Sequence, residues 1–462
     1  MTILKWWTTI AAISLASCLA LAQEETGGAP PVAGTTVEDQ GAADANQEAT
    51  PDTRPLTGVQ PLTVGGFGLG PSYIQPEVRI FQHVDINPND ASGTSANGVT
   101  NLSWNVGFNR VWKTAQTTAH YAGGNAFNYE DLGDTRMHHQ FGIGQFFRFR
   151  RWTLSLFDNV TYFPESSFGY RFGTLIQSPY IDLNPGFIPN QSILTGPGTR
   201  VANTVVGQAD FLLSPSNSLT ASASWGILRF TDATAVESNH WQAGLGFNHA
   251  ISARGSVGVV YGVSIIDFNG LVAGQQIVTH HAHAAYGRRI TGRLGFAVSG
   301  GPQITTFGGS LVGIDSRVSW GMTSTLAYDF RNATLKVRYG HHVTDGAGLF
   351  LGANTHRIDG SIGRALTRTV SLAANFGFSR NSSLRQTTVG GLERTFNTVH
   401  LGVGLTRPLS RQVNLAFRYN LQYQTTDSTV CTGTLCGSNA TRHAIGIGID
   451  WQKTWRPIIL GR

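Results

Sequence analysis

Residues 413–424, VNLAFRYNLQYQ, carry the pattern that decides the fold. Large apolar side chains occupy every second position from Val413 to Tyr423, and the positions between them, from Asn414 to Gln424, are polar or small. Successive side chains of a β-strand point to opposite faces of the sheet, so this alternation predicts a strand with one apolar and one polar face. Residues 318–329 and 370–379 repeat the division.

Alternating segments of this kind run about 12 to 16 residues, longer than typical soluble strands and long enough to cross a bilayer at a tilt. Strands are predicted at 77–87, 100–113, 115–129, 136–149, 151–164, 201–213, 217–230, 236–250, 255–268, 275–288, 292–307, 315–329, 332–344, 353–365, 369–380, 394–406, 411–424 and 440–453. The predicted fold is all-β: a closed, antiparallel, up-and-down transmembrane β-barrel of about 18 strands, with 16 as the alternative count.

Connections between these segments alternate between short and long. Short ones include Arg150-Arg151 and Phe330-Arg331, whereas long ones include 165–200 and 425–439. Outer-membrane barrels have tight periplasmic turns and longer outer loops, so the alternation predicts that both ends of the barrel sequence lie on the periplasmic side. The Tyr, Phe, Pro and Gly content of 165–200 favours an ordered loop folded into the barrel mouth.

Composition excludes several other classes of protein. Only 13% of the 462 residues are charged and 56 are glycine, which is unlike a charge-rich soluble enzyme. After residue 22 no apolar run approaches the roughly 18 to 20 residues of a transmembrane helix. No repeat of about 40 to 50 residues indicates a propeller. An interfacial aromatic girdle is predicted from Trp104, Trp112, Trp152, Trp241, Trp320, Trp451 and Trp455.

The N-terminus has the pattern of an export signal, predicted as residues 1–22. Lys5 precedes an apolar stretch, and the small-residue site Ala20-Leu21-Ala22 precedes Gln23. The alternative is a lipobox, Leu15-Ala16-Ser17-Cys18, which would leave Cys18 as a lipidated first residue.

Residues 23–76 are predicted to be a flexible periplasmic tether and lead-in, rich in Ala, Gly and Pro. Residues 23–61 hold seven acidic residues and one basic residue, and almost no large apolar side chain that could repay the entropy of folding. Gly65–Gly70 lacks the following helix and lysine of a phosphate loop. The barrel then covers 77–453, followed by a short tail, 454–462.

Cys431 and Cys436 stand close together in a polar stretch, and a small loop disulfide is predicted for them. Two thiolates alone make a poor zinc site, so no metal and no cofactor are expected. No nucleic-acid-binding module is visible.

The chain resembles bacterial porin-like outer-membrane proteins over residues 77–453, as a pattern rather than through a diagnostic motif. The last strand carries the best local match, with Ile445, Ile447, Ile449 and the aromatic Trp451 alternating around Gly446. In that superfamily such a strand is presented to the barrel-assembly machinery. The resemblance also implies outer-membrane lipid and lipopolysaccharide as surroundings, and homo-trimers as a common assembly. The tail from Gln452 to Arg462 departs from the pattern, because the family normally ends at the aromatic.

A barrel of this size is too wide for its own side chains to fill, which implies an aqueous channel or a lumen occluded by a loop. Passive diffusion of small polar, anionic solutes is the expected function, because the predicted lining leans positive. The predicted pore-lining residues are Arg148, His281, His283, Lys336, Arg338, His342, Arg357, His400, Arg418, Asp329, Asp359 and Asp450. The alternative interpretation of these charges is that inward Arg and Asp on neighbouring strands pair across the wall.

Two other functions stay open. One is a structural or export barrel that serves surface polysaccharide or adhesion, in which the tether reaches a periplasmic partner. The other is an outer-membrane hydrolase, for which His341-His342 with Asp345 near the outer rim are the candidate base and its orienting acid. His280-His281-Ala282-His283 has a spacing found in metal sites, but without a third ligand lumen histidines are the expectation, and no enzyme activity is predicted.

Overall fold

The computed structural model describes residues 62–64, 72–90, 93–129, 135–165, 181–183, 198–231, 236–270, 273–308, 316–346, 351–384, 395–426 and 440–453. Strands account for most of these residues. In chain order they are β1 Leu62–Val64, β2 Tyr73–Asp90, β3 Gly93–Val111, β4 Ala115–Asn128, β5 Thr135–Arg148, β6 Trp152–Glu165, β7 Ile181–Leu183, β8 Gly198–Ser214, β9 Asn217–Phe230, β10 Glu237–Ser252, β11 Gly255–Asn269, β12 Gln276–Arg289, β13 Leu294–Gly308, β14 Ser316–Asp329, β15 Ala333–Thr344, β16 Ala353–Ala365, β17 Ser371–Ser383, β18 Thr395–Pro408, β19 Val413–Thr426 and β20 Ala440–Gln452.

All of these strands except β1 and β7 form one closed antiparallel barrel, in which sequential strands are neighbours and β2 pairs with β20. Each of the eighteen predicted segments corresponds to one barrel strand, so the prediction of 18 strands is confirmed and the alternative of 16 is excluded. We call the β2–β20 pairing, where the two ends of the barrel sequence meet, the seam.

The first barrel strand is longer than predicted, because it begins at Tyr73 rather than at residue 77. The added residues include Pro76, which lacks the N–H that a sheet interior needs. Pairing with β20 starts only at Glu77, whereas pairing with β3 continues to Tyr73. Pro76 therefore lies just beyond the ladder to β20, where Lys453 donates to its carbonyl oxygen and its own missing donor costs little.

A small antiparallel sheet between β1 and β7 was not predicted. Leu62 pairs with Leu183 and Val64 with Ile181, so a piece of the predicted lead-in joins a piece of the predicted loop 165–200. Cys18, Cys431, Cys436 and Trp455 lie outside the described residues, as do the signal peptide, the acidic part of the tether and most of loop 165–200. Those assignments stay predictions.

The outer wall of the barrel is apolar. The side chains of Val318, Trp320 and Val259 are 72%, 69% and 60% exposed on positions of one parity, and Ile445, Ile447 and Ile449 of the last strand are exposed in the same way. A soluble protein does not expose a continuous apolar belt of this kind, whereas a barrel surrounded by lipid requires it. The chain is therefore a transmembrane barrel of the outer membrane. No helix of the described residues is long and apolar enough to cross a bilayer.

The two ends of the barrel differ. Tight connections such as 149–151, 215–216 and 253–254 lie at one end, which we call the turn end, together with Tyr73 and Gln452. The connections at the opposite, loop end include 166–197 and 427–439. In outer-membrane barrels the short turns are periplasmic, so the loop end faces outward.

Between β10 and β15 the wall is tightly curved. The Ser238 hydroxyl of β10 donates a 2.9 Å hydrogen bond to Oδ2 of Asp345, the residue directly after β15. Four strands separate β10 from β15 around the barrel. Glycine makes this approach possible, because a Cβ on Gly301 would overlap the carbonyl oxygen of Ala282, and one on Gly321 would overlap the Gln303 amide.

Candidate functional site

The candidate site is the lumen wall. It is formed by the strand residues that alternate with the exposed apolar ones and therefore point into the barrel. Between β15 and β2, in the direction that passes β20, this wall carries charged side chains on β15, β16, β19, β20 and β2. Around the rest of the barrel it carries mainly amide, hydroxyl and imidazole groups, including Asn101, Gln116, Gln140, Gln208 and Gln242, all of which are buried within the chain. The lumen thus has one charged wall and one neutral, hydrogen-bonding wall.

A cluster of ion pairs spans the seam. Arg79 of β2 pairs with Asp450 of β20, with which it is also in direct cross-strand register, and with Glu77 at 2.7 Å. The Arg418 guanidinium of β19 approaches the second carboxylate oxygen of Asp450 at 3.7 Å and lies 5.4 Å from the Phe81 ring centroid. Two guanidiniums therefore share the Asp450 carboxylate, and together with Glu77 the cluster holds two basic and two acidic side chains.

A second group lies nearer the loop end of the same seam. The Arg442 guanidinium of β20 binds the Asp85 carboxylate of β2, and Nε2 of His83 lies 3.6 Å from the other oxygen of Asp85. His83 is buried and its Nδ1 contacts the Asn101 amide at 3.3 Å. These groups link three consecutive strands on the lumen side.

The charged wall continues on β15 and β16. Arg357 donates from Nε and Nη2 to the two oxygens of Asp359, at 2.5 and 2.7 Å, in the bidentate geometry that fits a guanidinium to a carboxylate. Arg338 stands directly opposite Asp359 on the neighbouring strand, and Lys336 lies two positions further toward the turn end. On β15 and β16 basic groups thus outnumber acidic ones.

The neutral wall contains a recess inside the tightly curved segment. Its lining includes His240, His281, His283 and His342 together with Gln303 and hydroxyl groups of several strands. The rings of His281 and His283 lie 5.0 Å apart between centroids, and His240 Nε2 makes a 2.9 Å hydrogen bond with the Ser264 hydroxyl. In the described part of the chain no three His, Cys, Asp or Glu side chains are arranged to hold a metal ion.

Apolar side chains close the recess toward the loop end. Ile266, Phe268 and Ile277 form a buried cluster with Leu384, and Val343 packs against it. Because Leu384 follows β17 whereas Ile277 lies on β12, this cluster connects two distant parts of the wall. The mouth of the barrel is therefore narrowed above the histidines.

Another part of the lumen wall is apolar and inaccessible. Phe146, Phe157, Val206 and Leu228 lie on β5, β6, β8 and β9 at lumen-facing positions, yet each is at most 7% exposed. Side chains that faced an open aqueous channel would be solvated. The lumen beside these four strands is consequently not open water.

The predicted pore-lining residues all lie on barrel strands at positions of the lumen-facing parity. They are Arg148 on β5, His281 and His283 on β12, Asp329 on β14, Lys336, Arg338 and His342 on β15, Arg357 and Asp359 on β16, His400 on β18, Arg418 on β19, and Asp450 on β20. The structure brings Arg357 to Asp359, Arg418 to Asp450, and His342 into the same recess as His281 and His283. Contact of these residues with a solute stays a prediction.

The candidate hydrolase residues are distributed over both faces of the wall. His341 and His342 point to opposite sides of the wall, because His342 lines the recess whereas the His341 ring stacks on that of His356 at 3.9 Å, on the lipid-facing parity. Asp345 accepts a hydrogen bond from the Ser238 hydroxyl of β10.

Several lumen-wall residues were missed from the sequence, namely Glu77, Arg79, His83, Asp85, His240 and Arg442. Four of them lie on β2, whose alternation places Glu77, Arg79, His83 and Asp85 on one parity, opposite Val78, Ile80 and Val84. This alternation is the sequence signal that could have identified the four residues as lumen-facing. His240 had no comparable signal, because its position in the recess depends on the curvature of the wall.

No protein-family model matches the chain, and no curated protein is similar to it in sequence. Its fold is similar to those of solved outer-membrane proteins. OccK2 (OpdF) of Pseudomonas aeruginosa is 8% identical with a TM-score of 0.44, over 84% of this chain and 98% of that one. OpdK of the same organism is 12% identical with a TM-score of 0.40, over 83% and 99%. OccAB3 of Acinetobacter baumannii is 10% identical with a TM-score of 0.39, over 83% and 99%.

Proposed function

We propose that this porin-like barrel of the outer membrane conducts small polar solutes by passive diffusion, with a preference for solutes that carry an anionic group. The observation that carries the proposal is the charged wall, on which β15, β16, β19, β20 and β2 each carry a lumen-facing arginine: Arg338, Arg357, Arg418, Arg442 and Arg79. A guanidinium binds carboxylate or phosphate through paired hydrogen bonds and keeps its charge at any physiological pH.

The acidic partners of these arginines hold them in position more than they cancel them. Asp450 is shared by Arg79 and Arg418, and Asp359 lies between Arg357 and Arg338. A carboxylate shared in this way fixes two flexible side chains. Lys336 and Arg338 on β15 add positive charge beyond these pairs, so the wall keeps a net positive charge. Fixed positive charge in a low-dielectric channel raises the local concentration of anions.

The neutral wall complements this arrangement. Asn, Gln, Ser and Thr side chains opposite the arginines offer both donors and acceptors to the hydroxyl and amide groups of a passing solute. A solute with a carboxylate at one end and polar groups along its body would meet matching chemistry on both sides.

Single-channel conductance of the refolded chain in planar bilayers, with the reversal potential in a KCl gradient, tests the proposal. Discrete steps with anion preference are expected, and replacing Arg338 by Glu should shift the reversal potential toward cation preference. Arg110→Glu, on the lipid-facing side of β3 at the turn end, is the control for charge outside the lumen. Absence of conductance from a demonstrably folded barrel would overturn the proposal.

The buried lumen-facing group of Phe146, Phe157, Val206 and Leu228 favours a second candidate, a structural or export barrel. Under this alternative the lumen is filled at rest and opens, or engages a partner, only during export or adhesion. A folded barrel that is silent in bilayers under all applied voltages is the result that would favour it.

A further inference from the structure

Four Tyr–His pairs stand on the lipid-facing side of the barrel, all with the same geometry. Each tyrosine lies on a strand that runs toward the loop end, and each histidine lies on the next strand, two positions beyond the residue directly opposite. The hydroxyl-to-Nδ1 distances are 3.0 Å for Tyr121–His139, 2.8 Å for Tyr261–His280, 3.1 Å for Tyr339–His356 and 3.0 Å for Tyr419–His443.

All four pairs lie at a similar height, since each histidine is only three or four residues from the loop-end start of its strand. This is the outer membrane–water interface, where amphipathic rings are favoured. A tyrosine that donates to Nδ1 leaves the imidazole proton on Nε2, so the free donor of each pair points away from the tyrosine.

The surroundings of the four histidines differ in one case. The cross-strand neighbours of His280 are Val263 and Ile304, and those of His443 are Leu421 and Ile86. His139 lies between Gly123 and Tyr162. These are the surroundings of an aromatic girdle.

His356 instead lies between His341 and Arg380. Its ring stacks on the His341 ring with centroids 3.9 Å apart and an angle of 8° between the planes. We call Tyr339, His341, His356 and Arg380 the outer-wall cluster.

Arg380 is exposed, and it makes no ion pair with any residue that the structure describes. It lies just beyond Phe376 and Phe378, which are exposed toward lipid on the same strand. A cation on the lipid face is tolerated only near the interface, where an anionic headgroup can satisfy it. The cluster contains no carboxylate of its own.

We infer that the outer-wall cluster binds the phosphate group of an outer-leaflet glycolipid, that is, of lipopolysaccharide. The leaflet identifies the ligand, because the loop end faces outward and a lipid-facing side chain at that height meets only outer-leaflet lipid. Arg380 supplies a bidentate donor to the phosphate, His356 supplies its Nε2 proton, and Tyr339 fixes the orientation of that ring. The inference depends on the orientation of the barrel but not on conduction through the lumen.

The test measures thermal stabilisation of the full chain in detergent micelles by diphosphoryl lipid A, with native mass spectrometry to count bound lipid. Arg380→Gln should weaken the lipid affinity about tenfold or more, because it removes charge-assisted hydrogen bonds. His356→Phe should weaken it less. Arg110→Gln, the same change on the lipid face at the turn end, and His443→Phe, in a girdle pair, should leave it unchanged.

Retention of the folded, heat-modifiable band on gels shows that each variant is assembled before binding is compared. Equal affinity of the wild type and Arg380→Gln would overturn the inference, as would equal binding of lipid A from which the phosphates have been removed. Inorganic phosphate alone is the third arm, and an equal Arg380-dependent stabilisation by it would assign the cluster to a soluble anion instead of a lipid.

Discussion

Arg79 on the first barrel strand and Asp450 on the last form an ion pair across the seam that closes the barrel. The two side chains are 13% and 3% exposed, so the pair is largely removed from solvent. Their residues are also direct cross-strand partners, which means that the charges meet only when the seam has its native register.

Arg79→Met should lower the free energy of unfolding by about 1.5 to 3 kcal/mol, the usual contribution of a charged hydrogen bond. In this variant Asp450 keeps, among the described residues, its 3.7 Å ion pair with Arg418. Urea unfolding in micelles measures the change. A double-mutant cycle with Asp450→Asn should be strongly non-additive, and additive effects would show that the pair does not couple the strands.

Arg357→Gln and Asp359→Asn should change ion selectivity in opposite directions. Both side chains project from β16 into the lumen and bind each other, so each substitution removes one charge of a bidentate pair. The first should reduce the anion preference and the second should increase it, as measured by reversal potential in a salt gradient. Shifts of the same sign would show that the pair acts on pore shape rather than on potential.

Gly301→Ala should prevent assembly or destabilise the barrel by about 1 to 3 kcal/mol, the range for overpacked sites. The new methyl group would overlap the Ala282 carbonyl oxygen, which is backbone and cannot rotate away. Gly295→Ala on the same strand is the matched control, because no heavy atom lies within 4 Å of the position its Cβ would take. Heat-modifiability on gels and urea unfolding report both, and equal behaviour of the two variants would contradict the close approach of β12 to β13.

Ser238→Ala should loosen the mouth above the histidine recess. It removes the 2.9 Å donor to Asp345, which links β10 to the end of β15. More frequent transitions between conductance levels are expected in single-channel records, with little change in stability. Ser264→Ala removes the His240 contact on the adjacent strand without touching Asp345, so an identical gating change in that variant would point to the recess instead of the link.

The sequence was sufficient for the architecture because lipid imposes a simple rule on every strand. Val413, Leu415 and Phe417 must alternate with Asn414 and Ala416 when one face meets hydrocarbon and the other meets the lumen, and the register of β19 has this division. The rule missed the start of the first strand, from Tyr73 to Pro76, where the ladder to β3 continues beyond the ladder to β20.

The lumen wall could be predicted only in part. Parity assigns Arg418 or His281 to a face, and register then pairs neighbours such as Arg357 and Asp359. Contacts between non-neighbouring strands depend on the curvature of the wall. Glycines at 301 and 321 permit this curvature, but their presence in the sequence does not predict it. The Ser238–Asp345 hydrogen bond is such a contact between non-neighbouring strands, and the histidine recess beside it depends on the same curvature.

The seam has a consequence for the order in which the molecule is built. Its strands come together over a sequence separation of about 370 residues, the longest in the barrel, and loop-closure entropy makes such contacts slow to form. Until they form, β2 and β20 each present an unpaired edge to other chains. Assembly should therefore end at the seam, and the time spent before closure sets how long the chain is open to edge-to-edge aggregation.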